Sequence, residues 1–472
     1  MPLSKSGGGA NPKMIRTPSF SHRIPARRSF LFIGVLASFS LLAFDSLVLS
    51  CPPGQSESAS PPPASQKESS ALSSTADAVL EDVSRITGLP IRAPVVKEIV
   101  NRRNIEKYLK ENLYAEYSPR ELRVQEAVLK AFGLVPREFD LEKFLIAFYT
   151  EQAAGFYDPR LKKMFMADWI SPDLQKVVLA HELTHALQDQ NFGLEKFLRA
   201  AREDDDATGA RQAIIEGYAT AAMMQYLIQP ARLTDLPSIQ PLIDQVVHQQ
   251  MAEFPAFSSA PFFFRFEALF PYSQGMTFIE QGLSQGGWGK LNTLFASPPS
   301  TTKEIFEPEV YFEKKSPPKV TLTRPTALDR DPGLSFLTEN SLGELGYYAL
   351  IGQFITEEEA KAVAPGWSGD RYVLYEGRTP GQYALVARSR WSSAETAQAI
   401  FRDVQAILRR RYSGLIVADG TSNKSSDTDV FIASTGPTRV VLLRRNNECS
   451  WAEGVPPESV DAVLGFLRSL RD

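Results

Sequence analysis

His181-Glu182-Leu183-Thr184-His185 constrains this chain more than any other stretch, because histidine is scarce: four in 472 residues, two of them within five positions. The pair falls inside a helical pattern. Ser171-Pro172-Asp173 has the form of a helix start, a capping residue with proline behind it, and apolar residues recur from Val177 through Leu187. At 3.6 residues per turn, His181 and His185 leave the helix on nearly the same face, one turn apart. Two imidazoles so placed can hold one zinc ion. Glu182, about 100° round the helix from His181, can reach a water beside that metal without being a ligand. The plainer alternative is a pair of histidines that cap or line a helix for packing reasons.

A zinc ion that does chemistry keeps three protein ligands, and no third histidine stands near. A carboxylate on a following helix is the other solution. Ile214-Ile215-Glu216-Gly217-Tyr218-Ala219 offers one in an alanine-rich helical stretch expected over 208–227, with Glu216 31 residues after His185. An unpaired carboxylate in such apolar company is costly, and a metal would compensate its charge. Gly217 and Ala219 are small and are expected to let this helix approach the first one closely. Glu216 at the polar edge of an amphipathic helix is the competing reading.

These two stretches together resemble the gluzincin group of zinc metallopeptidases, in which a glutamate is the third ligand, and most closely the peptidase-MA-like proteins of bacteria. The resemblance covers roughly residues 140–300. It implies a mainly helical zincin-like core with a small edge sheet, Zn2+ held by His181, His185 and Glu216, and peptide hydrolysis with Glu182 as base. Phe156-Tyr157-Asp158-Pro159 through Met166 stands where those enzymes place an edge strand that pairs with substrate backbone. Pro271-Tyr272-Ser273-Gln274-Gly275 resembles their tyrosine-then-glycine segment, which makes Tyr272 the expected donor to a developing oxyanion. Tyr218 is the alternative donor, and His248, in the Gln-rich stretch Gln245–Gln250, reads as part of a solvated face. There are departures. Asn191 occupies the place of a metzincin third histidine. Thr220 stands where thermolysin-like members carry an aspartate that orients a ligand histidine. Support must then come from elsewhere, with Asp204 to Asp206 as candidates by proximity.

Phe156 to Pro159 and Lys163 to Met166 read as two short strands around a turn, and the phenylalanine-rich stretch from Phe254 to Phe270 as packed helical core. From about residue 330 the pattern changes. Strands are expected over 371–376, 382–390, 415–418, 429–434 and 439–444, with helices over about 395–411 and 457–470 between and after them. The expected fold class is therefore α+β, with a zinc metallopeptidase-like domain over 77–325 and a smaller C-terminal α+β domain over 326–472. Gly366-Trp367-Ser368-Gly369-Asp370-Arg371 reads either as a tight turn with an anchored aromatic or as a peptide- or glycan-binding tryptophan.

Residues 1–50 read as a signal peptide or N-terminal anchor. Six lysines and arginines and no acid precede Asp45, and an apolar run spans Phe30 to Phe44. Cys51 stands where a bacterial lipoprotein signal places its modified cysteine; an uncleaved anchor helix and a plain cleaved signal are the rivals. The Pro/Ser-rich stretch 51–76 reads as a flexible linker. All three leaders carry the body of the protein to the bacterial cell envelope. A net charge of -4 leaves no basic excess for nucleic acid, and two cysteines form neither a disulfide scaffold nor a CxxC pair.

The expectation is thus an exported zinc-dependent peptidase. The lack of a pattern for capturing a substrate's amino terminus favours an endopeptidase. Its partners would be a peptide or protein substrate and the membrane. The alternatives are a catalytically inactive binding or scaffold lipoprotein on a peptidase fold, and a zinc hydrolase of a non-peptide amide.

Overall fold

A computed structural model describes residues 66–241, 245, 254–418 and 427–471. Its first half consists of α1 (Gln66–Thr87), β1 (Val96–Val100), α2 (Arg102–Glu116), α3 (Pro119–Phe132), α4 (Leu141–Gln152), β2 (Gly155–Asp158), β3 (Lys163–Ala167), α5 (Pro172–Phe192), α6 (Leu194–Arg199), α7 (Asp205–Ile228) and α8 (Phe262–Asn292). The helix starts follow from local chemistry. Ser118 and Glu121 form a reciprocal capping box at α3, with Pro119 behind the cap. Asp204 caps α7 by accepting from the Ala207 N–H. Ser171 is the N-cap of α5 by position, but its hydroxyl makes no capping bond, so Pro172 alone carries the start signal there. Gly193, at φ 71°, ends α5 in the left-handed conformation that favours glycine.

α5 is the central helix of this half. Every residue from Val178 to Asp189 is buried, and α1, α7 and the small sheet surround it. A helix buried on all sides has no solvated face, so each polar side chain on it needs a partner inside the protein. The sheet runs β1-β3-β2, with β2 antiparallel and β1 parallel to β3. The two strands read from the sequence are there; β1 is an addition, its residues pairing with β3 residues 67 positions later in the chain.

Gly217 corrects one expectation. It serves the contact of α7 with α8 rather than with α5: a Cβ at Gly217 would lie 2.5 Å from the Gly275 carbonyl, and one at Gly275 would lie 2.5 Å from the Ala213 oxygen. The reason is helical geometry. Glu216 points at α5, and the next residue, about 100° on, faces the neighbour on the other side. Backbone touches backbone there, which only glycine permits.

The C-terminal part is a seven-stranded antiparallel sheet in the order β4-β5-β6-β10-β9-β8-β7. Its strands are β4 (Leu334–Asn340), β5 (Trp367–Gly377), β6 (Tyr383–Trp391), β7 (Ile416–Val417), β8 (Thr428–Ser434), β9 (Arg439–Arg445) and β10 (Glu448–Val455). α9 (Gly343–Phe354) and α10 (Ala394–Arg411) share one core cluster with residues of the sheet, and α11 (Val460–Ser469) shares a second. The chain is thus α+β, with its larger sheet in the C-terminal part. The boundary expected at 325/326 is not a break in the core. Tyr348 of α9 stacks on Phe266 of α8 with ring centroids 4.3 Å apart, and Phe262 fills the space above Gly352.

Other differences concern the ends and the unforeseen elements. α1 begins at Gln66, inside the stretch read as linker, just past the last of its prolines, Pro63, with none to break a helix again before Pro90. The leader, Cys51 and His248 lie outside the described residues. Among the described residues no helix is long and apolar enough to cross a membrane. Trp367 is buried at the start of β5, its indole N–H donating to Asp370 Oδ1 at 3.1 Å, with Gly369 at φ 125°. The tryptophan is thus anchored and not exposed, but the residues after it are strand with an irregularity in the ladder between Trp367 and Asp370, rather than the tight turn expected.

Candidate metal centre

α5 and α7 bring three electron-pair donors to one point. His181 Nε2 lies 3.0 Å from His185 Nε2 and 3.2 Å from Glu216 Oε2, and His185 Nε2 lies 3.5 Å from the same oxygen. Ligands at zinc distances of about 2.0–2.1 Å in a tetrahedral site stand about 3.3 Å apart, so this spacing fits a single zinc-sized cation. Among the described residues these three form the one group of histidine, cysteine and carboxylate side chains close enough to share an ion. Burial pushes the His181 imidazole below its usual range, toward the neutral form that ligates. Burial works the other way on Glu216, but His185 and His181 outweigh it and hold the carboxyl well below the usual carboxylate range. Glu216 is therefore ionised at neutral pH.

Two features near the donors were not visible in the sequence pattern. Gln188, three residues after His185 and on the same face, meets His185 Nδ1 through its Oε1 at 2.8 Å and donates from Nε2 to the Ile215 carbonyl at 3.1 Å. Because the amide nitrogen is committed to a carbonyl, its oxygen must face the ring. With a cation bound, His185 would carry its proton on Nδ1 and present a bare Nε2 to the centre; without one, burial is outweighed by the Glu216 carboxylate, which holds the ring above its usual range. Gln188 also ties α5 to the residue just before Glu216. The i,i+3 spacing from His185 was the available clue. Gln188→Ala is expected to weaken zinc binding about 10–100-fold, read by competition with a chromogenic chelator, with little change in helix content. An unchanged affinity would show that His185 is oriented by packing alone.

The second feature is the contact of Glu182 with the edge strand. Glu182 is fully buried, and its Oε2 accepts the Tyr157 backbone N–H at 2.8 Å. Gly155 makes this approach feasible, since a Cβ there would sit 2.7 Å from Val178 Cγ1 on α5. The strand read at 156–159 is thus the outer edge of the small sheet and lies against the helix that carries the histidine pair.

Tyr272 reaches the centre from α8. Its ring lies over His181 with centroids 6.1 Å apart and 29° between planes. Burial first, then the carboxylates of Glu216 and Glu182, push its hydroxyl well above the usual tyrosine range, so it remains a proton donor at neutral and alkaline pH. The Gly217–Gly275 contact explains its position, since Gly275 is three residues on, one turn along α8. Tyr218, the alternative donor, is turned away: its hydroxyl donates to Asn292 Oδ1 at 2.8 Å and its ring packs on Trp288 and Phe295. Asp204, Asp205 and Asp206 do not support the histidines. Asp204 caps α7, the Asp205 N–H bonds Asn340, and Asp206 accepts from Thr302. They sit at the start of α7, some three turns before Glu216. Thr220 is buried with its hydroxyl unpartnered.

A sequence-family model described as a domain of unknown function (DUF8575) matches residues 335–464, the C-terminal sheet and its helices. No curated protein and no solved structure matches the chain.

Proposed function

We propose that this protein is a zinc-dependent peptidase, an endopeptidase of the gluzincin kind, with a zincin-like arrangement of α5, α7, α8 and the small sheet. The observation that carries the reading is the convergence of His181, His185 and Glu216 within 4.8 Å, with Glu182 buried beside them. His181, His185 and Glu216 would hold the metal. When bound, zinc supplies a Lewis acid that polarises the scissile carbonyl and makes water acidic enough to lose a proton near neutral pH. Glu182 takes the proton of the attacking water and passes it to the leaving amine. Its hydrogen bond from the Tyr157 N–H helps orient the carboxylate for that transfer. Tyr272 donates to the oxygen on which negative charge grows. The proline-serine stretch and the basic, apolar leader support a place at the bacterial cell envelope, tethered to a membrane.

Incubation of the purified protein with a mixed peptide library, with and without chelator, tests the reading. Chelator-sensitive internal cleavage, restored by zinc, is the expected result. No cleavage by the zinc-loaded protein would favour a binding role, and cleavage of non-peptide amides alone would favour a different hydrolase.

Tyr272→Phe removes only the hydroxyl. It is expected to lower kcat by about 10²–10³-fold with KM and zinc content little changed, because a donor aimed at the oxyanion acts in the transition state and not in the ground state. Unchanged turnover in steady-state kinetics would take Tyr272 out of the mechanism.

A further inference from the structure

Asp189 has no place in the chemistry described above, yet it is buried on the same helix as Glu182 and saturated with donors. Its Oδ2 accepts from the Tyr157 hydroxyl at 2.9 Å and from Lys162 Nζ at 2.5 Å, and its Oδ1 accepts the Leu194 N–H at 3.1 Å. Asp189 follows Glu182 by seven residues, two turns of helix, so both side chains leave α5 on nearly the same face about 10.5 Å apart. β2 lies along that face. Tyr157 therefore meets α5 twice, through its backbone N–H to Glu182 and through its phenolic hydroxyl to Asp189. The rigid ring between these two groups makes them move together.

The sheet register makes this arrangement possible. Tyr157 pairs with Met164 in the antiparallel ladder, and the Ala167 N–H bonds the Ala154 carbonyl at its far end. Bonded and non-bonded pairs alternate along such a ladder, so at Tyr157 the N–H points away from β3 and toward α5. A one-residue slip would turn that N–H back into the sheet and carry the ring to the other face. Lys162 guards against the slip. It stands at φ 54° in the turn between β2 and β3, and its ammonium pairs with Asp189, so the turn is pinned to the same carboxylate as the strand. Gly155 and Val178 are in contact at the strand's other end.

We propose that Asp189 is a positioning residue: by holding the Tyr157 hydroxyl and Lys162, it sets the height of β2 over α5 and thereby the direction of the Glu182 carboxylate. The inference rests on the peptidase reading for its kinetic consequence, but its structural part is independent of it. A glutamate has three rotatable bonds, and a base displaced by about 1 Å from its productive position loses on the order of 10²-fold in rate. The Tyr157 N–H is a backbone donor that orients Glu182 here, and Asp189, two turns further along the same helix, fixes where that N–H lies by holding the tyrosine hydroxyl.

The test uses the full protein in its zinc-loaded form, with Asp189→Asn as the main variant. Asparagine retains an oxygen for the Leu194 N–H but puts an NH2 where Oδ2 received the tyrosine and the lysine. The expected result is a fall in kcat of about 10–100-fold with KM and zinc content within twofold. Tyr157→Phe should match it, and Lys162→Met should give a smaller fall. In a Glu182→Gln background Asp189→Asn should cost nothing further, because the base it positions is gone. A second measurement does not depend on catalysis. In protein labelled with 15N-tyrosine, the Tyr157 amide resonance is identified by its loss in Tyr157→Phe. It should move on Glu182→Gln in the parent and barely move on Glu182→Gln in the Asp189→Asn protein. If Asp189→Asn lowers only the melting temperature, with kcat kept, or if the Glu182→Gln shift of the amide is the same in both backgrounds, the positioning role is refuted. If the zinc-loaded parent cleaves nothing, the peptidase reading fails on its own, and the amide shift still decides whether Asp189 orients Glu182.

Discussion

Glu182→Gln is expected to leave the protein folded and zinc-loaded and to reduce hydrolysis by about 10²–10⁴-fold or more. The substitution changes one group. Glutamine has the same length and still presents an oxygen to the Tyr157 N–H, so the contact between α5 and β2 survives. What disappears is the capacity to accept a proton. Water beside a zinc ion becomes more acidic, but its proton must still go somewhere, and Glu182 is the carboxylate that the helix sets beside the histidine pair without making it a ligand. Stability should change little, because the side chain keeps its shape and its bond from the Tyr157 N–H. The measurement is kcat/KM on a cleaved peptide together with zinc analysis and a thermal melt. A folded, zinc-loaded variant with most of its activity would remove Glu182 as the base.

Glu216→Ala acts on the metal rather than on the proton. Glu216 contributes the anionic oxygen, 3.2 Å and 3.5 Å from the two ring nitrogens, and the histidine pair holds it ionised. Without it two neutral imidazoles remain, too few to hold a catalytic zinc against dialysis. Zinc is expected to fall from one per chain to near none, a larger loss than the roughly 10–100-fold assigned to an outer partner such as Gln188. Glu216→Gln separates charge from shape: it should keep the packing of α7 on α5 and still bind zinc poorly. Equal zinc in the parent and in Glu216→Ala would take Glu216 out of the site.

Much of the local structure was legible because it depends on short-range chemistry. Serine before proline marked α3 and α5, and short continuous apolar runs marked β6, β8 and β9. The elements that escaped notice lack such patterns for a physical reason. α9 buries Leu345, Tyr347, Tyr348, Leu350 and Ile351 on several sides at once, so it shows no amphipathic period. β10 carries Glu448, Ser450, Glu453 and Gly454 among its residues, yet it lies between β6 and β9 in the middle of the sheet. Its polar groups find partners there: Arg388 and Arg390 bond Glu448, and Arg411 bonds Glu453. A strand whose charges are paired across the sheet does not announce itself by hydrophobicity.

For the site, helical periodicity determined that His181 and His185 share a face and that Glu182 stands beside them, and the serine-proline pair determined that α5 starts at Pro172. Those are relations within one helix, where spacing in sequence is spacing in space. Only the tertiary structure decided the rest, because it depends on which helix meets which. The Gly217–Gly275 contact presses α7 against α8, brings Tyr272 over His181 and leaves Tyr218 facing Asn292. Gln188 acquires its role from the Ile215 carbonyl of another helix, and Asp189 from a tyrosine on a strand 32 residues earlier. Gln and Asp at those positions would look like ordinary polar residues of a solvated face. Burial on every side of α5 is what obliges them to find partners, and burial is set by the whole fold.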